Sequence, residues 1–388
     1  MTEMTRPVRY LNRLSEVTEL APEVHARLRP VTDTFVFRSN TYYTSLIDWS
    51  DPADPIRRLA VPEIDELEDW GALDASDEHR YTKVPGLQHK YPDTALLLVN
   101  DVCATYCRFC FRKRLFLEDN EEVVKDVTAG LEYIRSHREI DNVLLPGGDP
   151  LVMAGTKLRP IIAGLRAIDH VRIIRIGSKM PAFDPLRLLR DAALRELLQT
   201  YSTPERRIYV MAHFTHPREL TPEALDCVAM LQHASAIVVN QTPMIAGIND
   251  NADTLRELFN RLSFAGVSPY YVFQCRPTRG NKHFSVPIER AYAIFTAAQS
   301  GCSGLARRAR FVMSHVSGKI EVVGLTAGEI ILRYCRAADP AQHGQVMLLP
   351  RNPDAHWPDD YAGFAPGLAP EDEALVSASE RGMHHGCR

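Results

Sequence analysis

Residues 95–110 read Ala95-Leu-Leu-Leu-Val-Asn100-Asp-Val-Cys103-Ala-Thr-Tyr-Cys107-Arg-Phe-Cys110, a short aliphatic run with three cysteines close behind it. Such a run is typical of a strand buried in a parallel sheet. Similar runs follow at 142–145, 171–176, 207–211, 236–240 and 269–274. Stretches with helical spacing alternate with them, at 121–136, 156–168, 184–198, 221–232 and 252–264.

This alternation indicates the fold class. Strands that alternate with helices form βα units and a parallel sheet, and continuous apolar runs suggest that both faces of the sheet are covered. Six units are too few for a closed eightfold barrel, so the sequence predicts an α/β fold with an open, partial (β/α)6 barrel. In such a fold, chemistry belongs at the carboxyl ends of the strands.

The flanking segments complete a predicted division into four parts. A helical and loop-rich region occupies 1–84, and the partial barrel occupies 85–285. A helix at 288–298 and β-rich stretches at 311–323 and 329–334 form a C-terminal extension, 286–349. A proline-rich tail follows, 350–388.

Composition excludes several classes of protein. The 388 residues are 45% hydrophobic and 24% charged, as in an ordinary folded, soluble protein. No apolar run approaches the roughly 20 residues that span a bilayer, and the N-terminus lacks the layout of a signal peptide. With a net charge of −4, the chain shows no excess of basic residues of the kind that binds nucleic acid or anionic membranes. We therefore expect a cytoplasmic protein with no nucleic-acid or membrane partner.

The cysteines Cys103, Cys107 and Cys110 form a CxxxCxxC motif. Three thiolates on one loop can hold three irons of a four-iron, four-sulfur cluster and leave the fourth iron open. An open iron can chelate a small molecule, as radical chemistry on S-adenosylmethionine requires. The alternative is a structural zinc loop, but zinc usually takes four ligands in paired CxxC spacing, and no second pair exists. The other cysteines within the fold are predicted to be buried apolar residues: Cys227, Cys275, Cys302 and Cys335.

Two weaker motifs stand near strand ends. Gly147 and Gly148 would let the backbone approach a ligand closely, and Asp149 could meet the amino group of the methionine moiety. Taken alone, this sequence is a tight turn. Lys319 follows Gly318 in a β-rich stretch and could form a Schiff base with pyridoxal phosphate, although most lysines are solvated surface charges.

At these residues the chain resembles the lysine 2,3-aminomutase family of radical S-adenosylmethionine enzymes, from about residue 42 to about residue 323. Further motifs carry the resemblance: Val84-Pro-Gly-Leu-Gln-His-Lys-Tyr-Pro-Asp93, Arg112-Lys113-Arg114, Ile174-Arg-Ile-Gly-Ser178, His213-Phe-Thr-His-Pro217, Asn240-Gln241, Gly247-Ile-Asn-Asp250 and Tyr270-Tyr-Val-Phe-Gln-Cys275. The resemblance implies an isomerase that moves the α-amino group of an L-α-amino acid to the β-carbon. It also implies three cofactors: a 4Fe-4S cluster, S-adenosylmethionine and pyridoxal phosphate. A flavodoxin- or ferredoxin-type electron donor and a homo-oligomeric state are expected with them.

The resemblance also assigns residues. It makes Lys319 the Schiff-base lysine and Arg112 the contact of the substrate carboxylate. Lys90 and Tyr91 match the pair near the cofactor phosphate, whereas a second family arginine there is Thr94 in this chain. The remaining assignments are His213 and Gln241 to S-adenosylmethionine, and Phe273, in place of a tyrosine, to the space between the two cofactors.

Two departures bear on the substrate. Lysine aminomutases hold the side-chain ammonium with two aspartates, and the matching positions here are Arg276 and Val312. A cation in place of an anion would repel an ammonium. We therefore expect an acidic or neutral side chain, with glutamate favoured because Arg276 could pair with its carboxylate. The alternative for Arg276 is a salt bridge to a neighbouring acid.

Two further functions remain open at this point. An elongation-factor-modifying branch of the family acts on a lysine carried by a protein rather than on a free amino acid. A non-catalytic iron–sulfur or zinc module is the alternative from another class. The tail residues His384, His385 and Cys387 could bind metal, although an exposed, disordered end is the more ordinary interpretation.

Overall fold

A computed structural model describes residues 7–117 and 122–366, so the histidines and the cysteine of the tail lie outside the described residues. The strands are β1 (Tyr10–Leu11), β2 (Ser39–Asn40), β3 (Thr82–Val84), β4 (Leu87–Tyr91), β5 (Thr94–Leu97), β6 (Asn142–Leu145), β7 (Ile173–Ser178), β8 (Ile208–Ala212), β9 (Ile237–Pro243), β10 (Ser268–Phe273), β11 (Arg310–His315), β12 (Gly318–Leu325), β13 (Glu329–Ala337) and β14 (Val346–Pro350).

The helices are α1 (Pro22–Thr34), α2 (Thr41–Thr44), α3 (Pro55–Ala60), α4 (Thr128–Ser136), α5 (Gly155–Arg166), α6 (Met180–Phe183), α7 (Pro185–Arg190), α8 (Ala192–Tyr201), α9 (Pro222–His233), α10 (Ala252–Phe264) and α11 (Ile288–Ser300). Among the described residues, no helix has both the length and the apolar character needed to cross a membrane.

One 12-stranded sheet runs from β3 to β14 in sequence order. Strands β5 to β11 are parallel, with β3 and β4 antiparallel at one edge and β12 to β14 antiparallel at the other. In the described chain the edge strands β3 and β14 do not pair with each other, so the barrel is open. The predicted α/β fold with a partial barrel is confirmed, and β11 adds one parallel strand to the predicted six.

The two faces of the parallel strands differ. Val143, Ile174 and Ile176 are fully buried and belong to the same core as Leu158 and Ile162 of α5. The alternate residues of these strands, such as Leu144, Arg175 and Gly177, line a cavity instead. The expectation that both faces are covered is therefore wrong, because the concave face surrounds the candidate site.

One predicted helix is divided in two. The segment 184–198 forms α7 and α8, and Asp191 lies between them. The Asp191 carboxylate accepts hydrogen bonds from the backbone N–H of Leu194 (2.9 Å) and from that of Gly155 (2.8 Å). An aspartate that satisfies free N–H groups at a helix start favours a new helix over continuation of the old one.

The N-terminal region packs against the loop that carries the three cysteines. Arg108 of this loop forms a buried ion pair with Glu66 (Nη2–Oε2, 2.7 Å), and the two side chains are 3% and 0% exposed. The Arg108 guanidinium also donates to the Val36 carbonyl (3.0 Å). Within the same loop, the Tyr106 N–H donates to the Arg38 carbonyl at 3.0 Å. Residues before the barrel thus fix the shape of this loop.

We expect Glu66→Ala to lower the free energy of unfolding by about 3–5 kcal/mol, because it leaves the Arg108 charge buried without a partner. Urea unfolding measures the change. Glu68→Ala is the matched control, since its ion pair with Lys282 is about half exposed and such pairs contribute about 0–1 kcal/mol. Equal effects of the two substitutions would contradict the role of the buried pair.

Candidate active site

One cavity of about 350 Å³ is lined by every residue that the sequence assigns to the site. It lies at the carboxyl ends of the parallel strands, where the segments after β5, β6 and β8 and the ends of β9 and β10 meet. The predicted site residues that it brings together are Lys90, Tyr91, Cys103, Cys107, Cys110, Arg112, Gly147, Gly148, Asp149, His213, Gln241, Phe273, Arg276 and Lys319.

The cysteine loop follows β5. Cys103, Cys107 and Cys110 are free, partly buried thiols, whereas Cys227, Cys275 and Cys302 are buried as expected. Cys335, on β13 in the antiparallel edge of the sheet, is only partly buried, so the prediction of a buried residue is wrong there. Burial raises the pKa of all three loop thiols, so thiolates there require a cation to stabilise them.

The spacing of the three loop sulfurs bears on which metal group they can hold. In the described part of the chain they do not all lie within 4.8 Å of one another. Tetrahedral ligation of one zinc at about 2.3 Å would bring them closer than that. A cluster in which each sulfur binds a different iron fits this spacing better than a single zinc ion does.

The glycine motif lies directly against the start of the cysteine loop. Gly147 has a φ of +125°, and a Cβ there would lie 2.3 Å from the Asn100 carbonyl oxygen. Gly148 donates its N–H to the same oxygen (2.6 Å). A larger residue at 147 would therefore push the two loops apart.

The Asp149 carboxylate already accepts hydrogen bonds from other groups of the protein. It accepts them from the backbone N–H groups of Leu151 (3.0 Å), Lys179 (2.7 Å) and Met180 (3.1 Å), and from the Ser178 hydroxyl (3.1 Å). Burial raises its pKa to about 6 despite these bonds. The residue thus joins the glycine loop to the end of β7, and its predicted contact with an amino group stays a prediction.

His213 and Lys179 form a neighbouring polar group. Burial and then the positive charge of Lys179 lower the pKa of His213 well below its usual value, so the imidazole is neutral. Its Nε2 atom is buried, and no described residue hydrogen-bonds to it. Lys179 pairs with Glu219 (2.6 Å) and donates to the His213 carbonyl (2.8 Å).

Lys319 lies at the start of β12, after a tight hairpin from β11. Gly318 has a φ of +155°, and a Cβ there would lie 2.4 Å from the Arg336 carbonyl oxygen, so the hairpin requires glycine. The Lys319 Nζ lies 4.3 Å from the ring centroid of Tyr271 and 5.6 Å from that of Phe273. Burial, followed by the charge of Arg175, lowers its pKa to about 7. A neutral amine of this kind can act as a nucleophile.

Lys90 and Tyr91 lie on β4, beside the same hairpin. The Lys90 Nζ donates to the His315 carbonyl (2.5 Å) and lies over the rings of Tyr81 and Tyr91. Burial and the charge of Arg276 lower the pKa of Lys90 to about 7. Two lysines with lowered pKa values therefore face one space.

Arg112 and Arg276 have different partners. Arg112 holds Glu78 in a bidentate pair (Nη2–Oε1, 2.6 Å; Nε–Oε2, 3.0 Å), and Arg114 holds the other side of Glu78 (2.7 Å). Burial alone would raise the pKa of Glu78, but the two guanidiniums hold it well below its usual range. Arg276 instead donates to the Ser76 hydroxyl and stacks on Phe111 at 3.8 Å.

Across the described residues, no carboxylate oxygen lies within 4.0 Å of the Arg276 guanidinium. The alternative of a salt bridge to a neighbouring acid is therefore not what the structure shows. Burial lowers the pKa of Arg276 to about 10, with Glu78 acting in the opposite direction. Val312, the other departure from lysine aminomutases, is fully buried on β11.

Sequence reasoning missed four charged residues that line the cavity: Glu78, Arg175, Lys179 and Arg336. Arg175 falls inside the Ile174–Ser178 motif and Lys179 directly follows it, so a signal existed for these two. Glu78 lies in a loop-rich segment, and Arg336 lies on a strand far from every motif. No local pattern marks either of them.

Comparisons with known proteins bear on the family. No family model matches the chain. A putative L-lysine 2,3-aminomutase of Aquifex aeolicus (strain VF5) is 55% identical over 92% of this chain and 96% of that protein. The L-lysine 2,3-aminomutase of Fusobacterium nucleatum subsp. nucleatum is 37% identical over 76% of this chain and 68% of that protein. The glutamate 2,3-aminomutase of Clostridioides difficile (strain 630) is 31% identical over 78% of this chain and 71% of that protein.

The extent of these matches, together with the open parallel sheet and the cysteine loop at its carboxyl edge, identifies the family and excludes the non-catalytic module. The chain belongs to the lysine 2,3-aminomutase family, isomerases that work with a 4Fe-4S cluster, S-adenosylmethionine and pyridoxal phosphate.

Proposed function

We propose that this enzyme moves the α-amino group of a free L-α-amino acid with a non-cationic side chain to the β-carbon, and that it prefers a side-chain carboxylate, as in glutamate. The observation that carries the proposal is the Arg276 guanidinium. It lines the cavity and stacks on Phe111, and among the described residues no carboxylate pairs with it. A partly buried guanidinium with no described carboxylate within 4.0 Å favours a ligand that supplies an anion.

Arg112, which also lies near the ring of Phe111, supports the same conclusion. Its guanidinium carbon lies 4.9 Å from the centroid of the ring on which Arg276 stacks. Glu78 uses the Nε and Nη2 groups of Arg112, which leaves Nη1 for a carboxylate. Two guanidiniums at one ring suit a substrate with two carboxylates, the α-carboxylate at Arg112 and the side-chain carboxylate at Arg276.

The side-chain ammonium of a lysine substrate would be repelled by the Arg276 guanidinium. Two like charges 4 Å apart repel by about 4 kcal/mol at the effective dielectric constant near a protein surface. An ammonium beside Arg276 would meet this cost, whereas a carboxylate would gain a charge-assisted hydrogen bond. Sequence identity does not indicate which amino acid is the substrate. The lysine enzyme of Fusobacterium nucleatum and the glutamate enzyme of Clostridioides difficile are similarly distant from this chain, at 37% and 31% identity.

The residues present fit the three cofactors. Cys103, Cys107 and Cys110 would hold the cluster, because their buried thiols need metal to ionise and their spacing exceeds that of one zinc site. Lys319 would hold pyridoxal phosphate through its neutral amine. When bound, the cluster and S-adenosylmethionine supply a carbon radical that abstracts hydrogen, and pyridoxal phosphate carries the migrating nitrogen.

S-adenosylmethionine would lie between the cysteine loop and the end of β9. The backbone at Gly147 and Gly148 lies against the start of the cysteine loop and lines the cavity, so it would form one wall of the space for S-adenosylmethionine. The unpaired Nε2 of His213 and the amide of Gln241 are further polar groups that line the space. The rings of Tyr271 and Phe273 lie next to the Lys319 amine and would shield it from water when the cavity is filled.

Cys107→Ala should remove most of the bound iron and abolish S-adenosylmethionine cleavage, because two thiolates cannot replace a set of three. Iron analysis after anaerobic reconstitution measures the first effect, and chromatography of the nucleoside product measures the second. Cys302→Ala is the control, since Cys302 is buried away from the cavity and should keep both properties. Full iron content in the Cys107 variant would refute the assignment.

Borohydride reduction in the presence of pyridoxal phosphate should label Lys319, and peptide mapping should locate the label there rather than on Lys90. The yield should rise as the pH passes through about 7, because the neutral amine reacts and the pKa of Lys319 lies there. Lys319→Ala should lose the label. Lys282→Ala, at an exposed lysine, should retain it. A label on Lys90 in the wild type would overturn the assignment.

Arg276→Asp should lower kcat/KM for glutamate by about 30-fold or more, since loss of a buried charge-assisted contact costs roughly 2–5 kcal/mol. Mass spectrometry of β-isomers from a panel of free amino acids gives the substrate order. Arg279→Ala is the control, because Arg279 lies in the same loop but is exposed. The proposal fails if the wild type converts lysine faster than glutamate or glutamine, or if Arg276→Ala leaves the order unchanged.

A further inference from the structure

Arg336 lies beside Lys319 in the sheet. The two residues are direct cross-strand partners in the antiparallel pair of β12 and β13. Such partners have Cβ atoms about 5 Å apart and point to the same face. Both line the cavity. The C-terminal extension therefore delivers a guanidinium as well as an amine to the same end of the site.

The Arg336 side chain reaches across to the first strands of the sheet. Its guanidinium carbon lies 4.3 Å from the ring centroid of Tyr91, and its Nη1 group donates to the Thr94 hydroxyl (3.3 Å). Its Nη2 group pairs with Asp93. These contacts orient the guanidinium over the turn between β4 and β5, and they use two of its five N–H donors.

Positive charge accumulates at this end of the cavity. Lys90, Lys319, Arg175 and Arg336 all line it, and the pKa values of Lys90 and Lys319 are lowered by burial and by neighbouring cations. The nearby carboxylate, Asp93, is 55% exposed and does not line the cavity. Cations gathered in a partly buried space need an anion to compensate them, and one with several oxygens suits several donors.

We propose that Arg336 binds the phosphate group of pyridoxal phosphate and lets this enzyme distinguish the phosphorylated cofactor from unphosphorylated pyridoxal. The inference rests on the proposed function, in which Lys319 holds the aldehyde carbon of the cofactor. The phosphate arm of pyridoxal phosphate is attached to the ring carbon next to the one that carries the aldehyde. A group that binds the arm must therefore lie close to Lys319, as the cross-strand partner of Lys319 does.

The position of Arg336 favours the phosphate over a carboxylate of the substrate. The two arginines proposed for the substrate, Arg112 and Arg276, lie at the ring of Phe111. Arg336 lies instead at the ring of Tyr91, and the amine of Lys90 is close to that same ring (5.5 Å). A guanidinium and an amine at one place can neutralise the double charge of a phosphate.

The test compares two aldehydes on the reconstituted enzyme. Pyridoxal phosphate and pyridoxal are titrated separately, borohydride traps the bound fraction, and mass spectrometry measures the label on Lys319. In the wild type, the half-saturating concentration should be far lower for pyridoxal phosphate than for pyridoxal. Arg336→Gln, which keeps a polar side chain but removes the charge, should raise the half-saturating concentration of pyridoxal phosphate at least tenfold and leave that of pyridoxal unchanged.

Two further variants complete the experiment. Arg333→Ala is the matched control on β13, because Arg333 pairs with Glu321 and does not line the cavity, and it should leave both values unchanged. Thr94→Arg in the Arg336→Gln background should restore tight binding, because residue 94 lies where the Arg336 guanidinium ends.

Equal weakening of both aldehydes in Arg336→Gln, or no weakening of either, would overturn the inference while the label on Lys319 in the wild type still supports the proposed function. Failure of the Thr94→Arg rescue, with the pyridoxal value intact, would also overturn it. Absence of the label from Lys319 in the wild type would instead overturn the proposed function, and the inference with it.

Discussion

The parallel pairing of β5 to β11 is the constraint on which the site depends. Parallel strands place their carboxyl ends on one edge, so segments far apart in the chain must meet there. The cysteine loop after β5, the glycine motif after β6 and Gln241 on β9 become neighbours by this rule alone. Because the sheet stays open, its antiparallel extension can fold back and bring Lys319 to the same space.

The positive electrostatic character of the site arises because the nearby carboxylates are already paired with other groups of the protein. Glu78 is held by two arginines, Asp149 by backbone and hydroxyl donors, and Glu219 by Lys179. These carboxylates orient loops and cations, so little negative charge remains toward the cavity. Arg276 and Lys319 consequently face a space that favours anionic ligands, in keeping with a phosphorylated cofactor and a substrate that carries carboxylates.

Packing around the cysteine loop shows why the region before the barrel belongs to the site. The Glu66–Arg108 pair is almost completely buried, and the loop backbone donates to carbonyls of Arg38 and Leu59. A loop that must hold three sulfurs in a fixed arrangement needs support of this kind, because a flexible loop would lose its metal-binding geometry. The N-terminal residues supply this support, and Ser76 and Glu78 of the same region also line the cavity.

The sequence by itself determined the features that depend on local pattern. Aliphatic runs located the six predicted strands, and the CxxxCxxC spacing located the cysteine loop that follows the first of them. Only the tertiary structure decided the partners of Arg112 and Arg276 and the place of Arg336, which lies 242 residues from Thr94 in the chain. The physical reason is that strand and turn preferences act over a few residues, whereas charge pairing is decided by groups that meet only after the sheet has formed.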